Sequence, residues 1–252
     1  MTGFTALLGK ELLEIARTWR GWVLFLILLF FAITGAPLAL YTPQILASLS
    51  ETQALSIALP DPTYLDAYAQ WIKNLEQLGI VALIISSGGI IAGELGSNTA
   101  AVVLSKRISR PAFVLAKFVA QVLFVSVAVV ITTAVAEVAT TFAFGATAPA
   151  DLFTAAGSWL VFAWMMVAIV VWLSALVSPL AAGGLGVGTF FAVSLLGLFR
   201  PLAEYSPAGV SAVTAALMRG APVTSYWPLV TGVLVTVVAL IGAVAAFSRR
   251  EV

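Results

Sequence analysis

The stretch Glu94 to Lys117, ELGSNTAAVVLSKRISRPAFVLAK, decides how this chain is read. It is the densely charged piece between long apolar runs. An acid opens it, a lysine closes it, and Lys106, Arg107 and Arg110 cluster inside. A polar, basic, helix-competent segment between two membrane spans belongs on the cytoplasmic side, because loops rich in Lys and Arg are retained there. The functional question is what such a segment engages.

Composition explains why its neighbours must be membrane spans. Apolar residues make up 62% of the chain, charged residues 9%, and the mean hydropathy is +1.10. A soluble domain carries about 25% charged residues, so this chain cannot cover a water-facing surface. The fold class expected is all-α, a polytopic membrane protein of six transmembrane helices with an N-terminal interfacial amphipathic helix, forming one domain over residues 1–252. The sequence has no cysteine and no histidine, which removes thiolate chemistry and the commonest metal ligands; no metal site and no catalytic residue are expected. No basic patch is interleaved with aromatics as nucleic-acid binding requires. The first long apolar run follows charges through Arg20 and has no small-residue cleavage site, so it reads as a span rather than a cleaved signal peptide.

Working outward from the basic stretch, residues 1–20 place Phe4, Leu8, Leu12, Ile15 and Trp19 on one helical stripe, with Lys10, Glu14, Arg17 and Arg20 off it. That pattern belongs in the plane of the membrane interface. Gly21 to Tyr41 is uncharged and long enough to cross, with Pro37 kinking its outer end. Residues 42–76 are an acidic outer segment. In it Asp61-Pro62 reads as a helix cap and first turn, followed by a surface helix with Tyr64, Tyr68, Trp71 and Leu75 on one face. Gln77 to Gly93 is the second span, with Ser86, Ser87, Gly88 and Gly89 near its middle.

Phe118 opens the third span. Glu137 lies twenty residues beyond Lys117, about 30 Å of helix, which places it as a headgroup-level carboxylate at the far interface. Residues 152–199 carry no charge and are too long for one crossing. Ser178-Pro179 divides them into spans over 155–177 and 180–199. Gly184 and Gly188 on the fifth span make a small-xxx-small pair suited to close helix packing. Residues 200–225 form a second outer segment, in which Val210 to Met218 reads as a half-helix, and the sixth span runs from Tyr226 to Phe247.

With both ends inside, nine of the twelve basic residues are cytoplasmic and three (Lys73, Arg200 and Arg219) lie outside. The bias supports that orientation. An intramembrane enzyme needs a convergent nucleophile, base and acid, and Glu94 and Glu137 sit at opposite ends of their spans. A secondary transporter or channel places coupling charges near the midplane, where none stand here.

The residues then carry a resemblance. Lys10-Glu11-Leu12 with Glu14 and Arg17 before the first span is similar to the interfacial helix of type-2 ABC exporter membrane subunits. That family reads Glu, then Ser-Gly-Thr, then Leu-Ser-x-Pro-x-Ser-Arg, then Gly-Lys; here those positions are Glu94, Ser97-Asn98-Thr99, Leu104-Ser105-Lys106-Arg107-Ile108-Ser109-Arg110 and Ala116-Lys117. Asn98 replaces glycine and Arg107 replaces proline.

The resemblance implies that residues 94–117 are a coupling segment seated on a separate ATPase. Glu94, Thr99, Leu104, Ser105, Lys106, Arg107, Ile108, Ser109 and Arg110 would be its contacts. Leu104 and Ile108 suit an apolar groove, and the bases suit carboxylates. It also implies ATP and Mg in two partner ATP-binding subunits, since this chain has no G-x-x-x-x-G-K-[ST] loop. Two copies of the chain would enclose a cavity in the cell membrane, lined by Ser86, Ser87, Phe190 and Phe191, that moves a hydrophobic or amphiphilic cargo outward. Gly184 and Gly188 would pack the two copies. The alternative reading is a non-transporting membrane assembly or signalling factor on the same plan.

Overall fold

A computed structural model describes residues 2–50, 61–96 and 109–250. No strand occurs among them, and six helices are long and apolar enough to cross a membrane. Helix α1 (Thr2–Arg17) meets α2 (Trp19–Ser50) at a tight corner. Gly21 is required there, because a Cβ would lie 2.5 Å from the Ile15 carbonyl oxygen, and the Trp22 indole donates to Ala16 O at 2.9 Å. The face of α1 turned to the protein centres on Leu7 and Glu11, one step round from the expected stripe; Trp19 is exposed.

The second span is longer than the hydropathy suggests. Helix α3 (Tyr64–Asn74) passes through a π-helical turn (Leu75–Gly79) into α4 (Ile80–Ser87). Its cap is Thr63, not Asp61: the Asp66 carboxylate accepts the Thr63 N–H at 2.8 Å and its hydroxyl at 3.0 Å. The aromatic face expected at the surface is instead buried. Tyr68, Trp71 and Leu75 are fully covered, and the Trp71 indole donates to Thr133 at 3.2 Å. Large apolar area and a polar tip both find partners there, so burial wins over exposure.

The remaining spans keep the expected order, but the helix of the third opens at Arg110 rather than Phe118, taking in the end of the basic segment, and that of the fourth at Pro149 rather than 155. They are α6 (Arg110–Phe144), α7 (Pro149–Leu176), α8 (Pro179–Leu196) and α11 (Trp227–Ser248); short α5 (Ala92–Gly96) closes the second span. Ser109 and Ser178 stand at the caps of α6 and α8, each before a proline in the first turn, where the missing N–H costs nothing. Gly145, at φ 81°, ends α6, a conformation glycine adopts freely. Between α8 and α11 lie α9 (Arg200–Tyr205), a 3₁₀ turn (Pro207–Gly209) and the half-helix α10 (Val210–Met218). Helix α10 is pinned to α7 by a buried Ser158–Thr214 hydroxyl pair at 2.8 Å. Helix α7 is the most enclosed of the spans, while α8 and α11 keep most of their surface open.

Candidate functional site

Both ends of the basic stretch are held at one end of the bundle by charge. Lys117, on the first turns of α6, is 3% exposed. Its Nζ lies 2.9 Å from Glu11 Oε2 and 2.9 Å from Glu94 Oε1, and it sits 5.1 Å from the centroid of the Phe113 ring. Lys10 Nζ bridges Glu94 at 2.8 Å, Glu14 at 2.8 Å and Glu11 at 3.1 Å. Glu11, Glu14 and Glu94 thus converge as a trio of carboxylates, and among the described residues the cations that meet the trio are the two lysine ammoniums.

The sequence arranges this with little freedom. Glu11 follows Leu7 by four residues, so it rides the buried face of α1. Glu94 ends the second span and Lys117 lies two turns into the third, at matching depths. A cation so enclosed loses several kcal/mol of hydration, and close pairing with two carboxylates offsets that loss. Burial alone pushes the Lys10 ammonium toward losing its proton, but hydrogen bonds to Glu14, Glu94 and Glu11 together outweigh it and raise its pKa above the usual lysine value.

Arg110 does a different job from the one its neighbours suggest. Its Nη1 donates to the carbonyls of Phe247 (3.1 Å), Ser248 (2.8 Å) and Arg250 (2.6 Å). A guanidinium there satisfies orphan carbonyls at the end of α11 and meets the negative end of the helix dipole. Stacking of Phe113 on Phe247, 5.0 Å between centroids, completes the tie. These contacts gather α1, Glu94, Lys117 and the end of α11 at one end of the molecule. Thr99, Leu104, Ser105, Lys106, Arg107 and Ile108 lie outside the described residues; Ser109 caps α6.

Just before Glu94, the second span is broken. Between Ser87 and Ala92 the helix gives way to turns, and Ser174 of α7 enters the gap. Its hydroxyl accepts from Ile91 N (3.1 Å) and Ala92 N (3.0 Å) and donates to Gly88 O (2.9 Å). Gly88 is pressed against α8, where a Cβ would lie 2.8 Å from Pro179 O. The break therefore lies one turn from the clamp and is bound to two other spans.

The other sequence-predicted residues fall in separate places. Ser86 hydroxyl bonds back to Leu83 O at 2.9 Å, and Ser87 is buried with its hydroxyl unpartnered. Phe190 and Phe191 line a cavity of about 640 Å³ together with Glu76, Trp159 and Phe162; Ser86 and Ser87 do not belong to that lining. Gly184 and Gly188 are exposed, with nothing within 4 Å of an added Cβ. The glycines of α8 that pack within the subunit are Gly183, against Gly88, and Gly186, whose Cβ would meet Ile84 and Val170 at 2.7 and 2.8 Å. Glu137 accepts hydroxyls from Tyr68 (2.5 Å), Thr147 (2.6 Å) and Thr141 (3.3 Å), which fixes it between α3, α6 and the following loop.

Sequence reasoning noted Glu11 and Lys117 only as parts of motifs and missed their pairing. The available signal was an acid on the apolar stripe of α1, a position that needs a buried cation. The chain matches the family model described as ABC-2 family transporter protein over residues 5–252. Comparison with curated proteins gives no match. Six spans and a match that takes in nearly the whole chain make this protein a member of the ABC-2 transporter family, a membrane-spanning permease subunit of an ABC transporter.

Proposed function

We propose that this permease is the membrane half of an ATP-driven exporter, coupled through residues 94–117 to a separate ATPase and moving a hydrophobic or amphiphilic cargo outward. The observation that carries the reading is the clamp. Lys117 and Glu94, at the two ends of the basic segment, share one ion-pair cluster with Glu11 of α1. A push on that segment is delivered to α1, the second span and the third span together, rather than absorbed by a loop. The break at Gly88–Ile91, pegged by Ser174, is the place where such a push can change the angle of the second span against the fourth and fifth.

In this reading ATP and Mg bind a dimer of partner subunits, and nucleotide-driven closure moves two permease copies. Leu104 and Ile108 seat in the ATPase, Lys106 and Arg107 pair with its carboxylates, and Glu94, Ser109 and Arg110 hold the segment's ends in place. The clamp, the basic segment and both chain ends face the cytoplasm, as the distribution of basic residues supports. Gly184 and Gly188 lie on the open face of α8, where a second copy packs.

Affinity purification of the full chain from its native membrane tests this. The expected result is a stoichiometric ATP-binding subunit, two per two permeases, whose hydrolysis responds to the permease. A permease that purifies folded with no ATPase contradicts the exporter reading and favours the assembly-factor alternative.

A further inference from the structure

The cavity that contains Phe190 and Phe191 is not the neutral chamber that the apolar sequence suggests. It lies toward the end of the bundle away from the clamp, between the start of the second span, the end of the fifth and the 3₁₀ turn before α10. Its volume, about 640 Å³, is that of a site for a drug-sized molecule. Most of its wall is apolar, with Phe162 and Phe190 edge-to-face at 6.3 Å and Phe190 and Phe191 at 5.2 Å between centroids.

Gln77, Ser194 and Ser211 add polar groups to that wall, and Glu76 adds the one ionisable side chain of the lining. Glu76, in the π-helical turn, lines the cavity, and its carboxylate makes no hydrogen bond or ion pair among the described residues. Trp159 of α7 also lines it. This side chain is 1% exposed, and its indole N–H, which has no acceptor among the described residues, is closed off from the cavity. An unmade hydrogen bond to a buried donor costs about 1–3 kcal/mol, and an unpaired carboxylate against apolar walls costs more. Four other acids near helix ends are answered: Glu11 and Glu94 by lysines, Glu137 by hydroxyls, Asp66 by its cap. Glu76 is left over in a cavity walled by aromatic rings.

We infer that this cavity binds an organic cation, its charge on Glu76 and its apolar body against Phe162, Phe190 and Phe191. The aromatic rings add attraction for the cation through their faces. The π-helical turn inserts an extra residue into the helix and so sets the register of Glu76 relative to Leu75 and Gly79, which are buried. The inference narrows the cargo class of the exporter reading and rests on that reading only for the direction of movement. Binding itself needs no ATPase.

The test uses the purified full-length permease in detergent, without any partner, and rhodamine 6G, a fluorescent cation, followed by anisotropy. Saturable binding is expected, with displacement by tetraphenylphosphonium at least tenfold more effective than by tetraphenylborate, an anion of the same shape. Glu76→Gln should weaken rhodamine binding about tenfold and Glu76→Asp by less, the size expected for losing one charged contact. Equal displacement by cation and anion, absence of saturable binding, or unchanged affinity in Glu76→Gln overturns the inference. If Glu76→Gln fails to fold, the wild-type displacement series decides alone. A permease that binds the cation yet recruits no ATPase defeats the exporter reading and leaves this site standing; one that stimulates an ATPase but shows no cation preference does the reverse.

Discussion

Lys117 Nζ lies 2.9 Å from Glu11 Oε2 and 2.9 Å from Glu94 Oε1, so one buried ammonium joins the N-terminal helix to both ends of the basic segment. Deleting one partner strands the others. Lys117→Met should lower stability by about 3–5 kcal/mol, the usual result of breaking a buried pair, read as a drop in melting temperature of the detergent-purified protein. Glu11→Leu added to Lys117→Met should recover part of that loss, because it removes the uncompensated carboxylate. Strict additivity of the two changes would mean that Glu11 and Lys117 are not coupled.

The same cluster has a pH signature. Lys10 has its pKa raised by three carboxylates, so its contribution is fully present below the ordinary lysine value of about 10.4 and is lost only as pH rises through the higher folded value. Melting temperature should therefore show no loss from this group between pH 7 and 9. A Lys10→Met variant whose deficit shrinks between pH 7 and 9 would show that Lys10 discharges in that range, contrary to its three contacts.

Much of this architecture was legible in the sequence, and the exceptions share a cause. The division at Ser178-Pro179, the half-helix Val210–Met218 and the final span all follow from local rules of proline, caps and apolar length. The face of α1, the buried aromatics of α3 and the role of Arg110 did not, because each is decided by a residue distant in the chain. Glu11 turns inward for Lys117, Trp71 for Thr133, and Arg110 for carbonyls near Phe247. Thr63 displaced Asp61 as the cap because Asp66 stands three residues after it, within reach of its N–H. The charge of the cavity was hidden for a similar reason: Glu76 read as the last residue of an outer loop, and only the helix running on from Tyr64 brings it beside Phe190.

Glycines on the two faces of α8 should behave differently. Gly186→Leu should destabilise the monomer, by about 1–3 kcal/mol or more for overpacking, since even a Cβ meets Ile84 and Val170. Gly184→Leu should leave the melting temperature nearly unchanged, because no atom of the described residues lies within 4 Å of a Cβ added there. Single cysteines introduced as Gly184→Cys or Gly188→Cys should cross-link two copies in intact membranes. A folded protein that cross-links at neither position would remove this face from the proposed dimer.

Orientation is testable with the same absence of native cysteine. Arg107→Cys should react only with a reagent supplied from the cytoplasmic side and Asp61→Cys only from the opposite side. Reaction of both from one side would overturn the assigned topology.

Coupling through residues 94–117 is tested most directly by ATP hydrolysis in the reconstituted complex. Leu104→Ala with Arg107→Ala removes one apolar and one charged side chain of the proposed coupling segment and leaves the clamp residues and Arg110 themselves unsubstituted. The account predicts that this double variant inserts and melts like the wild type but loses permease-dependent stimulation of the ATPase. Wild-type stimulation by a folded Leu104→Ala, Arg107→Ala protein would contradict it.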